Sequence, residues 1–244
     1  RQAILDANAT VAPDTISFNI PGGGVQTIAP ASGLPLIVWP VAIDGLSQPG
    51  ADCASWPPTL QLVLDGGGSL SYGLQFGFDA AGSSVRGLAI QRFSVGLGLG
   101  NASNITVQCN FLGTDASGTI ARPNPLIGVD LQQATNFFNV TATTEIYTLL
   151  IVGSGTLVAV TNFGSKPLNN VIQNNYLGTD VTGSVRLGGG GFEAIDIFGA
   201  DGTQLLNNLI VSDSAAIAIA GDATRAVNNT TIRGNRIGTN AAGT

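Results

Sequence analysis

The feature that most constrains the fold of this chain is a short motif that recurs in its second half. Three copies share an Asn, two residues that end in Leu or Ile, and a Gly-Thr step followed by Asp or Asn. They occupy residues 109–115, 174–180 and 234–240, and a degenerate copy without the Gly-Thr-Asp ending lies at 205–210. Because near-identical copies indicate one structural unit stacked several times, the motif predicts a repeat architecture.

Strand-type segments of two kinds alternate along the chain. A short β-type run precedes each complete copy, and other segments place two apolar side chains on one face and small or polar ones on the other. These other segments lie at residues 73–76, 96–99, 128–131, 194–197 and 216–219. Taking one of each kind as a coil predicts an all-β fold, a right-handed parallel β-helix with about six coils of roughly 20–34 residues after residue 70.

Two other all-β architectures compete with this prediction. A β-sandwich requires Greek-key connections and strands without near-identical copies, so it fits less well. A propeller repeats a blade of about 45 residues, and the copies here are too few and too far apart for that.

Composition excludes several classes of protein. Only 10% of the 244 residues are charged, which is too few for the exposed surfaces of a helical bundle. The chain has no His, so mechanisms that need imidazole as a base or metal ligand are excluded. The net charge of −6 argues against nucleic acid as a partner, and no apolar run is long enough to predict a membrane-spanning helix.

The first part of the chain, residues 1–70, is predicted to hold an N-terminal cap and the first coils, whereas residues 71–244 form the remaining coils of one continuous domain. Residues 2–8 can form two helical turns whose apolar side chains cover the end of the stack, namely Ala3, Ile4, Leu5 and Ala7. A loop near residues 46–58 is expected to protrude. The start at Arg1 predicts a removed leader or a piece of a longer chain.

The N-terminus resembles a known family. Residues 1–4 (Arg-Gln-Ala-Ile), the pair at 7–8 (Ala-Asn) and the Asp-Thr-Ile-x-Phe run at 14–18 are similar to the end of the CSLREA segment of bacterial surface proteins. The units with Gly-Thr-Asp are similar to coils that commonly follow that segment. The resemblance implies a short helix that caps a right-handed parallel β-helix, secretion and an adhesin-like role. It implies no catalytic residues.

Two cysteines and six Asn-x-Ser/Thr sequons raise the question of covalent modification. Cys53 and Cys109 can form a disulfide, which fits an oxidising compartment, or can remain two buried thiols. The sequons are candidate glycosylation sites only in a host that glycosylates, and they lie at Asn8, Asn101, Asn104, Asn139, Asn228 and Asn229.

Enzyme chemistry has weak candidates. Asp196 lies in a strand similar to the nucleophile strand of pectin methylesterases, although the spacing differs by one residue. Asp130 occupies the corresponding outward position of another strand, so both carboxylates are better explained by a solvated face. Arg233 is a candidate base for a polysaccharide lyase, in which Arg or Lys acts beside acidic Ca²⁺ ligands. The other arginines considered for that role are Arg86, Arg92 and Arg236.

The motif itself offers two kinds of side chain. Asp115 and Asp180 are candidate Ca²⁺ ligands if they stack, but each unit supplies one carboxylate where Ca²⁺ takes 6–8 oxygens, so turn formation is the better interpretation. Seventeen of the nineteen Asn residues follow residue 100. Four of them fall at equivalent positions and are predicted to form a structural ladder at a bend: Asn110, Asn175, Asn208 and Asn235.

These patterns favour a secreted or cell-surface structural or adhesive module that is not catalytic. The expected partners are copies of itself, assembled end to end or laterally into a filament or surface layer, or surface glycans. No cofactor is expected, apart from the Ca²⁺ considered above. The alternative function is a carbohydrate-active enzyme, lyase-like or esterase-like, that acts on an acidic or neutral glycan.

Overall fold

The protein is mostly β, and the single α-helix of the described residues, α1 (Gln2–Ala7), lies at the N-terminus. The computed structural model describes residues 1–99, 102–131, 145–147, 149–153, 155–162, 166–188 and 191–244. The strands are β1 (Asp14–Ser17), β2 (Gln26–Ile28), β3 (Val41–Asp44), β4 (Leu62–Gln75), β5 (Ser84–Arg86), β6 (Ala89–Gly98), β7 (Thr106–Gln108), β8 (Phe111–Leu112), β9 (Ile127–Asp130), β10 (Glu145–Tyr147), β11 (Leu150–Ile151), β12 (Thr156–Thr161), β13 (Val171–Gln173), β14 (Tyr176–Leu177), β15 (Ile195–Phe198), β16 (Gln204–Leu206), β17 (Leu209–Ile210), β18 (Ile217–Ala220), β19 (Thr231–Arg233) and β20 (Arg236–Ile237).

Two parallel sheets contain all of these strands. An eight-stranded sheet has the order β1-β3-β5-β7-β10-β13-β16-β19. In a twelve-stranded sheet, the long strand β6 pairs with β8 at its start and with β9 at its end. Two runs therefore leave β6, one through β8, β11, β14, β17 and β20 and the other through β9, β12, β15 and β18. Each later unit of the chain adds one strand to the eight-stranded sheet and one to each run.

Strand pairing keeps equivalent residues of the repeat in register. Phe111, Leu150, Tyr176, Leu209 and Arg236 follow one another across β8, β11, β14, β17 and β20. Such in-register parallel pairing differs from the antiparallel pairing of a β-sandwich. The expectation of an all-β fold is confirmed.

The main core lies between the two sheets. Five strands of the eight-stranded sheet, β3, β5, β7, β13 and β16, bury an apolar residue at equivalent positions, so that these side chains form a row from unit to unit. The buried members of this row are Ile43, Val85, Val107, Ile172 and Leu205. Apolar side chains of the twelve-stranded sheet pack against them in one continuous cluster.

Helix α1 covers the first strands as expected, but with fewer side chains. Ile4 and Ala7 are buried against the core, whereas Ala3 and Leu5 are exposed. The expected four-residue lid is therefore wrong in part, because the face of this short helix that meets the core carries only Ile4 and Ala7 as buried side chains. An apolar cavity of about 90 Å³ remains beneath it.

A second, smaller apolar cluster lies on the outer side of the run from β8 to β20. Its buried members include Phe111, Leu150, Val152 and Val181, and Tyr176 packs against them. Loops follow the recurring motif at residues 113–122, 178–187 and 238–244, and they are called the Gly-Thr-Asp loops below. Residues of the first two loops pack on this cluster. The three loops stack on one another, since the Val181 amide donates to the Gly118 carbonyl and the Ala241 amide to the Gly183 carbonyl.

The loop expected to protrude near residues 46–58 is folded back along the molecule. Trp56 packs edge-on against Phe111 and stacks on Tyr176 with ring centroids 4.9 Å apart. Burial of its aromatic surface on the second cluster favours this arrangement over a protruding loop. Strand β4 runs across residue 70, so the N-terminal part and the later units share one sheet.

Candidate functional site

The four asparagines predicted to form a ladder all lie in one row of the bend between the eight-stranded sheet and the run from β8 to β20. Asn175 donates its side-chain N–H to Asn208 Oδ1 and Asn208 donates to Asn235 Oδ1, each over 2.9 Å. Asn110 instead donates to the Val85 carbonyl and accepts from the Leu88 amide. Leu149 separates Asn110 from the other three in the row, so the continuous ladder begins at Asn175.

The residue before each ladder position explains why two of the copies carry a second Asn, Asn174 and Asn207. It adopts the left-handed backbone conformation, with φ of 55° at Cys109, Asn174 and Asn207, and 69° at Gly234. Asn and Gly adopt this conformation most readily. These four residues form the turn column, which runs beside the Gly-Thr-Asp loops. The preference of Asn for left-handed turns and its ladder bonds together account for the Asn pairs of the motif.

A further structural asparagine was not predicted. Asn124 is fully buried, accepts from the Phe93 amide and donates to the Ile90 carbonyl, both over 3.0 Å. It lies outside the recurring motif, so no sequence repeat marks it. The Pro residues on either side of it were the one local signal of an irregular backbone.

The Gly-Thr-Asp loops use their carboxylates for turn formation. Asp115 Oδ1 accepts from the Ser117 hydroxyl and the Ile120 amide, and Asp180 Oδ1 accepts from Thr182 and the Val185 amide. The two carboxylates weighed as Ca²⁺ ligands thus bind their own loops. Within the described ranges, no three His, Cys, Asp or Glu side chains are arranged to hold a metal ion.

The candidate catalytic residues fall into two separate groups. Asp130 and Asp196 belong to one outer row of the twelve-stranded sheet, two strands apart, with Ala159 in register between them. Arg233 belongs to the eight-stranded sheet. Partial burial and the nearby charge of Glu193 raise the pKa of Asp196 above its ordinary value.

Two arginines weighed as a lyase base are held by carboxylates. Arg86 binds both oxygens of Asp44, each over 2.8 Å, and Arg92 binds both oxygens of Asp65. Each hydrogen-bonded carboxylate raises the pKa of its arginine, which opposes loss of the guanidinium proton. This shift is opposite to the one that a general base requires.

Cys53 and Cys109 are joined in a disulfide with Cα atoms 6.2 Å apart. Trp56, three residues after Cys53, donates its indole N–H to the Val181 carbonyl over 2.9 Å. The loop is therefore attached to the turn column at one point and to a Gly-Thr-Asp loop at another. The sequence allowed the disulfide, but the contact between Trp56 and Val181 joins distant residues and had no local signal.

The sequons differ in the environment of their amides. Asn8 donates to the Leu36 carbonyl and Asn228 to Asp201, so both side chains hold neighbouring segments. Asn104 and Asn229 are exposed in left-handed turns. Asn101 and Asn139 lie outside the described residues.

Comparison of this chain with models of known protein families finds no match, and comparison with curated proteins finds none either. Across the part of the chain that the structure describes, no helix has the length and apolarity needed to cross a membrane.

Proposed function

We propose that this chain is a right-handed parallel β-helix that serves as a structural or adhesive module on the cell surface or in the secreted state. In this proposal it assembles with copies of itself or binds surface glycans, and it does not act as a catalyst. The resemblance to CSLREA-type surface proteins agrees with this function.

Three rows of in-register parallel strands support the β-helical part of the proposal. Each unit adds one strand to every row, as the coils of such a helix do. Right-handedness follows the strong preference of parallel crossover connections. The Cys53–Cys109 disulfide supports an oxidising compartment.

The observation that carries the adhesive role is the chemistry of the outer face of the eight-stranded sheet. The positions that flank its buried row are mostly neutral and polar, among them Ser84, Thr106, Gln108, Gln173 and Gln204. Hydroxyl and amide groups on a regular surface suit hydrogen bonding to sugars or to another copy of the same face.

Self-assembly is favoured by apolar side chains in the last unit. Ile219, Ile232 and Ile237 are each more than 40% exposed, although they continue rows that are buried in the preceding units. Their strands also form the edges of the two sheets, which can pair with strands of another copy. Pairing through this edge therefore joins copies of this chain to one another.

Sedimentation velocity over a wide concentration range tests this proposal. The unchanged chain should form dimers or larger species, and Ile232→Lys with Ile237→Lys should remain monomeric because charge blocks edge pairing. Leu126→Lys with Val185→Lys is the matched control, since these apolar residues are also exposed but lie away from the edge. A strict monomer at every concentration would overturn self-assembly.

A carbohydrate-active enzyme is the second candidate, favoured by one observation. Asp130 and Asp196 stand two strands apart in one outer row, about 9–10 Å between main chains at ordinary strand spacing. An inverting glycosidase separates its two carboxyl groups by about 6.5–9.5 Å and uses the one with a raised pKa as the acid. Asp196 has such a raised pKa.

Release of reducing ends from neutral and acidic polysaccharides distinguishes the two functions. An enzyme should release them in the unchanged protein and lose this activity in Asp196→Asn, with Asp222→Asn as the control. The raised pKa means that ionisation of Asp196 opposes folding. The contribution of the Asp196 carboxyl group to stability therefore falls as pH rises through that pKa. Asp196→Asn should therefore fold at least as stably at neutral pH. No release by the unchanged protein rejects the second candidate.

A further inference from the structure

A groove runs along the outside of the molecule between the turn column and the Gly-Thr-Asp loops. Its floor is the outer row that contains Phe111, Leu150, Tyr176, Leu209 and Arg236. The turn column and the loops recur from unit to unit, so the walls of the groove have the same construction along its length.

The chain itself fills the first half of this groove. Cys53 is bonded to Cys109 in the turn column, and Trp56 lies on the floor against Phe111 and Tyr176. The indole N–H donates to Val181 in the second Gly-Thr-Asp loop. A flat ring with a hydrogen-bond donor is thus a group that this kind of groove holds.

The second half is open and forms a cavity of about 320 Å³. Its lining combines the ring of Tyr176 and the apolar side chains of Leu209 and Ala241 with polar groups. The rest of the lining is Gly234 and the polar side chains of Asn207, Asn208 and Arg236. The amide of Asn208 is bound within the ladder. Asn207, by contrast, is exposed at the rim.

Arg236 gives this half of the groove a positive charge. One of its N–H groups donates to the Ala241 carbonyl, and among the ion pairs of the described residues none includes Arg236. The guanidinium retains further donors in a geometry that suits a carboxylate. An anionic ligand at this point gains a charge partner on a chain that is otherwise acidic.

We propose that the open half of the groove binds a sugar residue that carries a carboxylate, within an acidic glycan. The apolar side of the sugar packs on Tyr176 and Leu209, its hydroxyls bind the Asn207 amide, and its carboxylate binds Arg236. A peptide aromatic side chain suits the site less well, because most of the lining is polar. This inference rests on the proposed adhesive function and specifies its ligand.

Calorimetric titration with tetragalacturonate tests the site, with the fully methyl-esterified tetrasaccharide as the uncharged probe. The unchanged protein should bind the acid more tightly than the ester. Arg236→Gln should weaken binding of the acid by about tenfold or more, as expected for loss of a charge-assisted pair, and leave binding of the ester nearly unchanged. Asn207→Gly should weaken binding of both probes while it preserves the left-handed turn.

Arg122→Gln is the matched control, because this exposed arginine belongs to the first Gly-Thr-Asp loop, away from the open cavity. Equal binding by the unchanged protein, Arg236→Gln and Asn207→Gly would place glycan binding elsewhere and overturn the site. Absence of binding to the acid would also overturn it. Sedimentation of the same samples reports self-assembly separately, so failure of this site is distinguishable from failure of the wider function.

Discussion

Asp65 shows how a single buried carboxylate is stabilised in a chain with few charges. It is 6% exposed, and it accepts hydrogen bonds from Arg92, Gln91 and the Gly67 amide. Burial alone would raise the pKa of Asp65, but these hydrogen bonds and the charge of Arg92 lower it overall. The ionised form therefore favours folding.

Asp65→Asn should destabilise the protein by roughly 1–3 kcal/mol at neutral pH, because a charged acceptor with several donors is lost. Since the folded pKa lies below the ordinary value of 3.8, this contribution is present above about pH 4 and is lost as pH falls through the lowered pKa. Urea unfolding at pH 7 and pH 3 measures the difference. Asp222→Asn is the control, since its ion pair with Arg225 is exposed and should contribute less. An equal loss at both pH values would contradict the linkage.

Single residues were predictable where the repeat aligned them. Asn110, Asn175, Asn208 and Asn235 occupy equivalent positions of the recurring motif, so one physical role could be assigned to all four, and three of them form the ladder. The role of Asn124 and the ion pair of Asp65 with Arg92 could not be predicted. The bonded residues lie on neighbouring units, and no motif fixes their separation in the sequence.

At the scale of elements, the ladder and the turn column require different properties of neighbouring asparagines. Asn208 accepts from the main-chain and side-chain N–H groups of Asn175 and donates to the Ile172 carbonyl. Asn207 serves through its left-handed backbone. The first role needs the amide, whereas the second needs a residue that tolerates positive φ.

Asn208→Leu should lower the free energy of unfolding by roughly 2–4 kcal/mol, because several buried polar groups lose their partners. Asn207→Gly should change it by no more than about 0.5 kcal/mol, since Gly adopts the same turn. Denaturant unfolding of the two variants measures both values. Similar losses for the two neighbours would contradict the ladder as a stabilising element.

The folded-back loop can be tested through its tryptophan. Cys53→Ser should release the loop from the turn column and cost about 2–4 kcal/mol of stability, a typical effect of losing a disulfide. In a Trp39→Phe background, emission then reports Trp56 alone, and it should shift to longer wavelength as the ring leaves Tyr176. Unchanged emission would mean that the ring contacts hold the loop without the disulfide.

Elements were predictable to different degrees. The alternating pattern at residues 194–197 and 216–219 predicted β15 and β18. One face of β15 is buried, and the corresponding face of β18 continues the same row. The outer cluster beneath the Gly-Thr-Asp loops was not predicted. Phe111 and Tyr176 point away from the main core, and only the loops and Trp56 that cover them explain apolar residues at outward positions.

At the scale of the whole molecule, each unit contacts its neighbours in the stack, so stability should vary along the chain. The central strands β12 and β13 pair on both sides, whereas β18, β19 and β20 each pair on one side only. Open sheet edges have fewer hydrogen bonds and less buried apolar surface, and they open at lower free energy than central strands.

Hydrogen exchange should therefore show slow exchange in β12–β15 and faster exchange in β18–β20 when the protein is dilute. If copies meet through this edge, protection of β18–β20 should rise with protein concentration, because pairing supplies the missing hydrogen-bond partners. The Ile232→Lys, Ile237→Lys variant should keep fast exchange at every concentration, while protection of β12–β15 stays the same. A concentration-dependent rise that persists in this variant would place the contact between copies on a lateral face, since blocking the edge would then have left the assembly intact.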